Sequence, residues 1–180
     1  IMEDMTMKKI EIDTFLKFRF LSNPHFSPDG TKIAFTVSVP DRETNGYLSD
    51  LYLYDLRKKT VSRVTCAGDA KIWSWTAENT LIFTAARTAS LKKEKENGTS
   101  FFYEISPSGG EASCRASVPA SVTGIRLLPD GRYLLTIRHD NYKDTRKKSY
   151  EVFDELPFWA NGQGIVNKKR TRLAVYDLES

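Results

Sequence analysis

The stretch Ser27-Pro28-Asp29-Gly30 lies between two short strand-like runs, and it decides the fold because its pattern returns twice. The related stretches are Trp75-Thr76-Ala77-Glu78 and Leu128-Pro129-Asp130-Gly131. Placing Pro28 opposite Thr76 and then Pro129 gives steps of 48 and 53 residues. Periods of this size are typical of solenoids, propellers and other arrays. The chain is therefore predicted to be a repeat protein.

Each repeat reads as a run of short antiparallel strands. In the first repeat, Pro28 presets φ and Asp29-Gly30 supplies the tight reversal of a hairpin. The strands that follow are predicted at 32–37, 51–56 and 61–65, and the later repeats keep this order. The alignment places Ile33, Leu81 and Leu134 at equal distances from their turns. Four strands in about 50 residues is the size of one propeller blade.

The predicted fold class is all-β, a partial β-propeller of about three four-stranded antiparallel blades with the third incomplete. Residues 1–22 are assigned to an N-terminal lead-in with room for a short helix. The blades are placed at roughly 23–68, 69–118 and 119–180. The third is interpreted as truncated, because no fourth strand appears before Ser180.

Extra length falls between the second and third strands of every repeat, at 40–48, 85–100 and 139–170. Alternate connections of an up-and-down blade emerge at the same end, so these insertions are expected to share one face. Within the middle insertion, residues 91–98 are predicted to form a charged, solvent-exposed excursion that turns at Asn97-Gly98. The third has aromatic residues beside acidic ones, followed by a glycine-rich turn. Such a loop packs either on another surface or on itself.

Composition and charge restrict the function classes. The chain has 180 residues, 40% of them hydrophobic, and a formal net charge of +4, and this length can bury a sizeable core. The basic clusters lie at predicted turns and insertions, where solvation explains them without nucleic acid. No apolar run approaches the roughly 20 residues of a membrane-spanning helix, and the first residues do not read as a secretory signal. We therefore expect neither nucleic acid nor membrane as a partner.

The two cysteines, Cys66 and Cys114, have no C-x-x-C spacing and no histidines placed to complete a zinc site. They are expected to be reduced thiols of a cytoplasmic protein, with a disulfide as the less favoured alternative. No metal and no cofactor is expected.

Several longer stretches are more specific than the turn. They are Asp50-Leu51-Tyr52-Leu53-Tyr54-Asp55-Leu56, Tyr103-Glu104-Ile105, Gly109-Gly110-Glu111-Ala112, Asp154-Glu155-Leu156-Pro157-Phe158-Trp159, Asn161-Gly162-Gln163-Gly164 and Thr171-Arg172-Leu173. Together with the first turn, they resemble the amino-terminal propeller of prolyl-oligopeptidase-family serine peptidases. The most similar branch is that of the acylaminoacyl peptidases and dipeptidyl peptidases, and the resemblance covers nearly the whole chain from Phe15 onward.

The resemblance implies a serine peptidase that hydrolyses short or N-acylated peptides. In such an enzyme, this propeller would restrict substrate size and support a C-terminal α/β-hydrolase domain, which would carry the catalytic serine, histidine and aspartate. The implied partners are that domain of the same parent chain and a peptide substrate, and homo-oligomerisation is left open.

Catalytic residues are not expected in this segment. It has no Gly-x-Ser-x-Gly elbow, since a serine stands two residues before Ser108, and its histidines are His25 and His139 alone. The segment by itself is therefore expected to be inactive, and its unpaired sheet faces should make it poorly stable or self-associating.

The resemblance assigns a contact with substrate or with the hydrolase domain to Glu155, Phe158 and Trp159. The role of the paired glutamates that hold a substrate amino terminus in some dipeptidyl peptidases is not transferred to Asp154-Glu155, because the sequence context differs. Two alternatives stay open. One is a stand-alone TolB-like binding propeller without peptidase activity, and the other is an accessory domain of a carbohydrate-active or sensory protein.

Overall fold

The computed structural model describes residues 11–140, 158–160, 164–166 and 169–178. The chain divides into two compact units, one of residues 1–71 with 107–110 and the other of residues 72–106 with 111–180. The structure of these parts is almost entirely antiparallel β-sheet.

The first unit contains a short 3₁₀ helix at Ile12–Lys17 and one four-stranded sheet. The strands are hydrogen-bonded in chain order: β1 (Phe20–Phe26), β2 (Lys32–Asp41), β3 (Gly46–Asp55) and β4 (Thr60–Arg63). A bulge interrupts β1 between Ser22 and His25, where Asn23 has a φ of 52°.

The insertion predicted at 40–48 is mostly strand. β2 and β3 continue through it and pair Pro40 with Tyr47, so that only residues 42–45 connect them. A proline is tolerated here because β1 pairs with β2 no further than Ser38, which leaves β2 with a neighbour on one side alone.

The second unit contains two larger sheets and a small ribbon. One sheet has the strands β5 (Trp73–Trp75), β6 (Leu81–Thr84), β7 (Ser100–Ile105) and β8 (Ser113–Val118) in chain order, with the helix α1 (Ala89–Glu96) between β6 and β7. The other has β9 (Ser121–Leu127), β10 (Tyr133–Asp140) and β13 (Lys169–Tyr176), with β10 in the centre. The ribbon pairs β11 (Phe158–Ala160) with β12 (Gly164–Val166).

The predicted fold class is confirmed. Three antiparallel sheets of four, four and three strands follow one another along the chain, as expected for a partial propeller whose third blade is incomplete. The described strands of each sheet lie at or next to the predicted segments.

The middle insertion differs from its prediction in one respect. It is solvent-exposed, and no residue of α1 is buried, but it is helical, which the sequence pattern does not predict. Alanine, lysine and glutamate favour helix, and the hydroxyl of Thr88 caps the first turn by accepting a hydrogen bond of 3.2 Å from the N–H of Leu91. The chain leaves the helix at Asn97, and Gly98 follows with a φ of 97°.

The three turns share one hydrogen-bond pattern. The first carbonyl of each turn, of Ser27, Thr76 or Leu128, accepts from the N–H three residues later at 2.8, 3.2 and 3.1 Å. Those donors are Gly30, Asn79 and Gly131, with φ values of 67°, 62° and 87°. Glycine and asparagine are the residues that enter this left-handed region at least cost, which explains how the second turn forms without the Pro-Asp-Gly letters.

The sequence alignment of the repeats is wrong by one residue at two places, and Thr31 is the cause. The N–H of Ser27 reaches the carbonyl of Lys32, five residues on, whereas the equivalent bonds from Thr76 and Leu128 reach four residues on. Pro28 therefore corresponds to Ala77 and not to Thr76.

In the strand after the turn, the same extra residue places Tyr133, and not Leu134, at the position of Ile33 and Leu81. The strand pairing confirms this equivalence. Ile33, Leu81 and Tyr133 pair with Tyr54, Ile105 and Tyr176, and three residues further along β2, β6 and β10 every repeat has a threonine, Thr36, Thr84 and Thr136.

The core of the second unit lies between its two larger sheets. Ile82 and Phe102 of one sheet and Tyr133 and Leu135 of the other belong to a single buried cluster. Ser100 ties the sheets together at one end, since its hydroxyl donates to the carbonyl of Ala120 at 2.8 Å and accepts from the N–H of Val122 at 3.0 Å.

We expect Leu135→Ala to lower the free energy of unfolding by about 2–5 kcal/mol, because Leu135 is fully buried in this cluster. Leu134→Ala is the matched control. It removes the same atoms from the neighbouring residue on the other face of β10, and it should cost about 1 kcal/mol or less. Urea denaturation followed by circular dichroism measures both. Equal losses would contradict the assignment of the two faces.

The first turn also has an acid-sensitive carboxylate. The hydroxyl of Ser27 donates to Asp29 at 2.6 Å and the N–H of Thr31 donates at 3.0 Å, and these bonds lower the pKa of Asp29 from 3.8 to about 2. Because the folded-state pKa is depressed, the stability that Asp29 contributes is present above about pH 4 and is lost as the pH falls toward 2.

Ser27→Ala should therefore raise the pKa of Asp29 toward 3.8. Carboxyl-carbon NMR titration measures this shift. Asp130 of the third turn is the internal control, because its pKa is lowered mainly by a hydrogen bond from Arg132 and should not change. An unaltered Asp29 would show that the serine is not the main cause.

Candidate functional site

The site residues predicted from the sequence lie in the third insertion. Glu155 is outside the described residues. Phe158 and Trp159 lie in β11, where they pair with Val166 and Ile165 of β12. The structure thus places the two aromatic residues on a short ribbon within the connection between β10 and β13, and their predicted contact role stays a prediction.

The described residues show no group of three or more histidine, cysteine, aspartate or glutamate side chains able to hold a metal ion. Cys66 and Cys114 are both exposed and are free thiols. No helix within the described part of the chain is long and apolar enough to cross a membrane.

Glu104 is the clearest departure from the repeat pattern. It occupies the position that Leu53 holds in the first repeat and Val175 in the third, as the strand pairing shows. Leu53 is buried, and the Glu104 side chain is only 18% exposed. A carboxylate has replaced an aliphatic residue at a largely buried place, and departures of this kind often mark functional or strained sites.

The Glu104 carboxylate is held by two partners. The Nε of Arg115 donates to it at 2.8 Å, and the hydroxyl of Thr80 donates to its other oxygen at 2.5 Å. Since Thr80 uses its proton here, the hydroxyl of Thr76 must donate in the 2.6 Å contact between the two threonines. The result is a continuous polar chain from the turn to the edge of the sheet.

A β-bulge brings Arg115 into this chain. Phe102 pairs with Ala116 and Tyr103 pairs with Cys114, so Arg115 is the extra residue between them. Bulges re-aim side chains, and here the guanidinium reaches across to β7. The ion pair borders a pocket of about 20 Å³, lined also by Glu78, Tyr133 and Leu178. This volume holds about one water molecule, so the network is a polar cluster within the sheet of β5 to β8 rather than a ligand cavity.

Asp50 is a second buried carboxylate, in the first unit. Its oxygens accept hydrogen bonds from Arg63 at 2.6 Å and from Thr65 and the N–H of Gly68, both at 3.0 Å. The bond to Asp50 raises the pKa of Arg63. All these donors belong to β4 or to the segment that follows it, so Asp50 fastens that segment to β3 and has a structural role.

Arg87 is an exposed side chain of the second unit that lies over two aromatic rings. Its guanidinium carbon lies 5.8 Å from the ring centroid of Phe83 and 5.0 Å from that of Tyr103. The first unit has the same ring pair, Phe35 and Tyr52, with 6.0 Å between centroids. The ring pair therefore recurs in the first two repeats, and the cation is added in the second. A guanidinium attracted to ring faces can still donate N–H groups to a carboxylate or a carbonyl.

Comparisons with known proteins give a consistent result. No model of a known protein family matches the chain. The chain is 25% identical over 187 aligned positions to the uncharacterized peptidase YuxL of Bacillus subtilis strain 168, and the match covers 97% of this chain and 27% of that protein.

Two solved structures have the same fold over most of the chain. One is an acylaminoacyl peptidase in complex with Z-Gly-Gly-Phe-chloromethyl ketone, and the other is the Pyrococcus horikoshii acylaminoacyl peptidase in an orthorhombic crystal form. Both superpose with a TM-score of 0.67 at 18% identity over 93% of this chain, covering 24% and 25% of theirs. The resemblance to the propeller of prolyl-oligopeptidase-family peptidases is confirmed. The chain spans about a quarter of the length of the relatives it matches.

The sequence reading missed Glu104, Arg115 and Arg87. A signal for Glu104 was present, because a charge stands where the other repeats have leucine and valine, but it becomes visible only with the corrected alignment. The position of the Arg115 side chain depends on a bulge, and that of Arg87 depends on the conformation of a loop. The spacing of the repeats predicts neither feature.

The ion pair between Glu104 and Arg115 can be tested one residue at a time. Arg115→Met should lower the free energy of unfolding by about 1 kcal/mol, because Glu104 loses its counter-charge while half of the arginine side chain was already in solvent. Glu104→Leu restores the residue type of the first repeat and leaves unpaired only the half-exposed Arg115 and a hydroxyl, so it should cost less than Arg115→Met. Urea denaturation measures both variants. A larger loss for Glu104→Leu would mean that the carboxylate itself is required.

Proposed function

We propose that this chain is the non-catalytic propeller portion of a serine oligopeptidase that hydrolyses short or N-acylated peptides. In this role, it limits the size of the substrate and supports an α/β-hydrolase domain of the same parent protein. The observation that carries the proposal is the agreement of two relationships over almost the whole chain, one in sequence to a peptidase and one in fold to acylaminoacyl peptidases.

The insertions are the part of the chain that we assign to contact with substrate or hydrolase domain. The two longer ones connect β6 with β7 and β10 with β13, and these connections leave their sheets at equivalent strand ends. The first of them begins beside Arg87, and the second contains β11 with Phe158 and Trp159. Aromatic side chains and an accessible guanidinium suit the apolar groups, carbonyls and terminal carboxylate of a short peptide.

The intact product of the gene should therefore react with a fluorophosphonate that labels activated serines, and this 180-residue chain alone should not. The intact product should also release the acylated residue from an N-acetylated oligopeptide, but not from a folded protein with the same N-terminal sequence. An intact product without an activated serine would favour the stand-alone binding propeller instead.

A double variant tests the assigned residues. The double variant Phe158→Ala with Trp159→Ala should lower kcat/KM for the oligopeptide by about tenfold or more, equivalent to about 1.4 kcal/mol. Val61→Ala, an exposed apolar position on β4, is the control and should leave kcat/KM unchanged. Unaltered kinetics in the double variant would remove these residues from the contact while leaving the peptidase assignment intact.

A further inference from the structure

Arg87 is held above two rings whose own positions are fixed by the second sheet. Phe83 and Tyr103 pair across the central strands β6 and β7, with 6.2 Å between their ring centroids. Phe83 is fully buried and Tyr103 is 6% exposed, so packing restricts both rings. The guanidinium carbon lies within about 6 Å of both centroids, the range of a cation–π attraction. The exposed charge is therefore held in place before any ligand arrives, which reduces the entropy lost on binding.

The charge of Arg87 has no carboxylate partner in the part of the chain that the structure describes. Arg42, Arg63, Arg115 and Arg132 each form an ion pair with an aspartate or a glutamate, and none of these ion pairs includes Arg87. A guanidinium carries five N–H donors and no acceptor. Because Arg87 is exposed, these donors are accessible to a group from outside the described residues.

The first repeat shows that the sheet does not require a cation beside its ring pair. Phe35 and Tyr52 form the equivalent pair of stacked rings. The fourth residue after Phe35 is Val39, whereas the fourth residue after Phe83 is Arg87. An aliphatic residue thus serves the same repeat position. The arginine of the second repeat is an addition that the packing of the sheet leaves unexplained, which is typical of a residue retained for binding.

The surroundings of Arg87 favour an anion. The insertion at 85–100 contains four basic and two acidic residues, a net charge of +2. An N-acylated peptide has no N-terminal ammonium group, so the only charge on its backbone is the negative charge of its C-terminal carboxylate. Opposite charges steer such a ligand toward the insertion. A guanidinium then matches a carboxylate with two parallel N–H···O bonds, which a neutral carbonyl with its single oxygen does not accept.

We propose that Arg87 binds the C-terminal carboxylate of the peptide substrate, with Phe83 and Tyr103 as the platform that positions its guanidinium. The assignment rests on the proposed peptidase function and names the feature of the substrate that this part of the protein recognises. It also relates charge to length. A peptide gains from the contact only when its carboxylate reaches Arg87 while its acylated end lies at the catalytic serine.

A matched pair of substrates tests the proposal. Two N-acetylated oligopeptides of identical sequence end in a free carboxylate or in a carboxamide, and kcat/KM is measured for both with the intact product of the gene. We expect the acid to be preferred by about tenfold or more, as for a hydrogen-bonded charged group. Arg87→Met keeps an unbranched side chain over the rings. It should lower kcat/KM for the acid to that for the amide, and it should leave the amide unchanged.

Two further variants control for charge and geometry. Arg57→Met removes the same charge from an exposed turn of the first unit, outside the insertions, and should leave both kcat/KM values unchanged. Arg87→Lys keeps the charge but loses the planar fork of donors, so it should retain only part of the preference for the acid.

An acid preference that survives in Arg87→Met, or equal kcat/KM values for acid and amide in the unaltered protein, would overturn the proposal and leave the peptidase function intact. A loss of kcat/KM for both peptides together with a lower free energy of unfolding would also overturn it, because Arg87 would then pair with a carboxylate of the protein itself. An intact product that hydrolyses neither peptide and is not labelled by a fluorophosphonate would overturn the proposed function as well.

Discussion

The left-handed residue at each turn is the constraint on which the rest of the fold depends. Gly30, Asn79 and Gly131 close their turns with the same backbone bond, and a second backbone bond, to the carbonyl of Lys32, Thr80 or Arg132, sets the register of the strand that follows. In a strand, a shift of one residue exchanges the two faces. The turn therefore decides which side chains of β10 enter the core, and it places Leu135 inside and Leu134 outside. Everything that distinguishes the two faces of each sheet follows from this register.

Within that register, the second repeat differs from the others at two charged positions. Glu104 stands where Leu53 and Val175 stand, and Arg87 lies on a ring pair that the first repeat leaves without a cation. The first change is compensated inside the protein, because Arg115 and Thr80 satisfy the carboxylate. The Arg87 side chain is exposed and lies at the end of its sheet where the longer insertions begin. Glu104 is thus satisfied within its own sheet, whereas the guanidinium of Arg87 is available to a partner.

The sequence predicts the architecture well and the details of the site poorly. Alternating apolar residues and the sequences of the turns predict where the strands lie, because burial on a pleated sheet has a period of two. They did not reveal Thr31, since one extra turn residue leaves the composition of the neighbouring strands unchanged. For the residues of α1 the sequence predicts only a charged excursion, because Lys and Glu are found in solvated loops as well as in helices. Glu155 lies outside the described residues. Phe158 and Trp159 are predicted to lie in a loop, and in the structure they lie in β11, which pairs with β12. Arg115 could not be found at all, because a bulge is a property of pairing between two strands.

The burial of one sheet by the next has a consequence for biosynthesis. Phe102 stays uncovered until the residues that pack on its sheet have been made, and Leu178, the last of that cluster, follows it by 76 residues. At about 5–20 residues per second, the ribosome needs roughly 4–15 s to supply them. Throughout this interval the nascent chain displays an aromatic, sheet-forming surface. Until those residues have been made, this surface is open to contacts that the folded chain excludes.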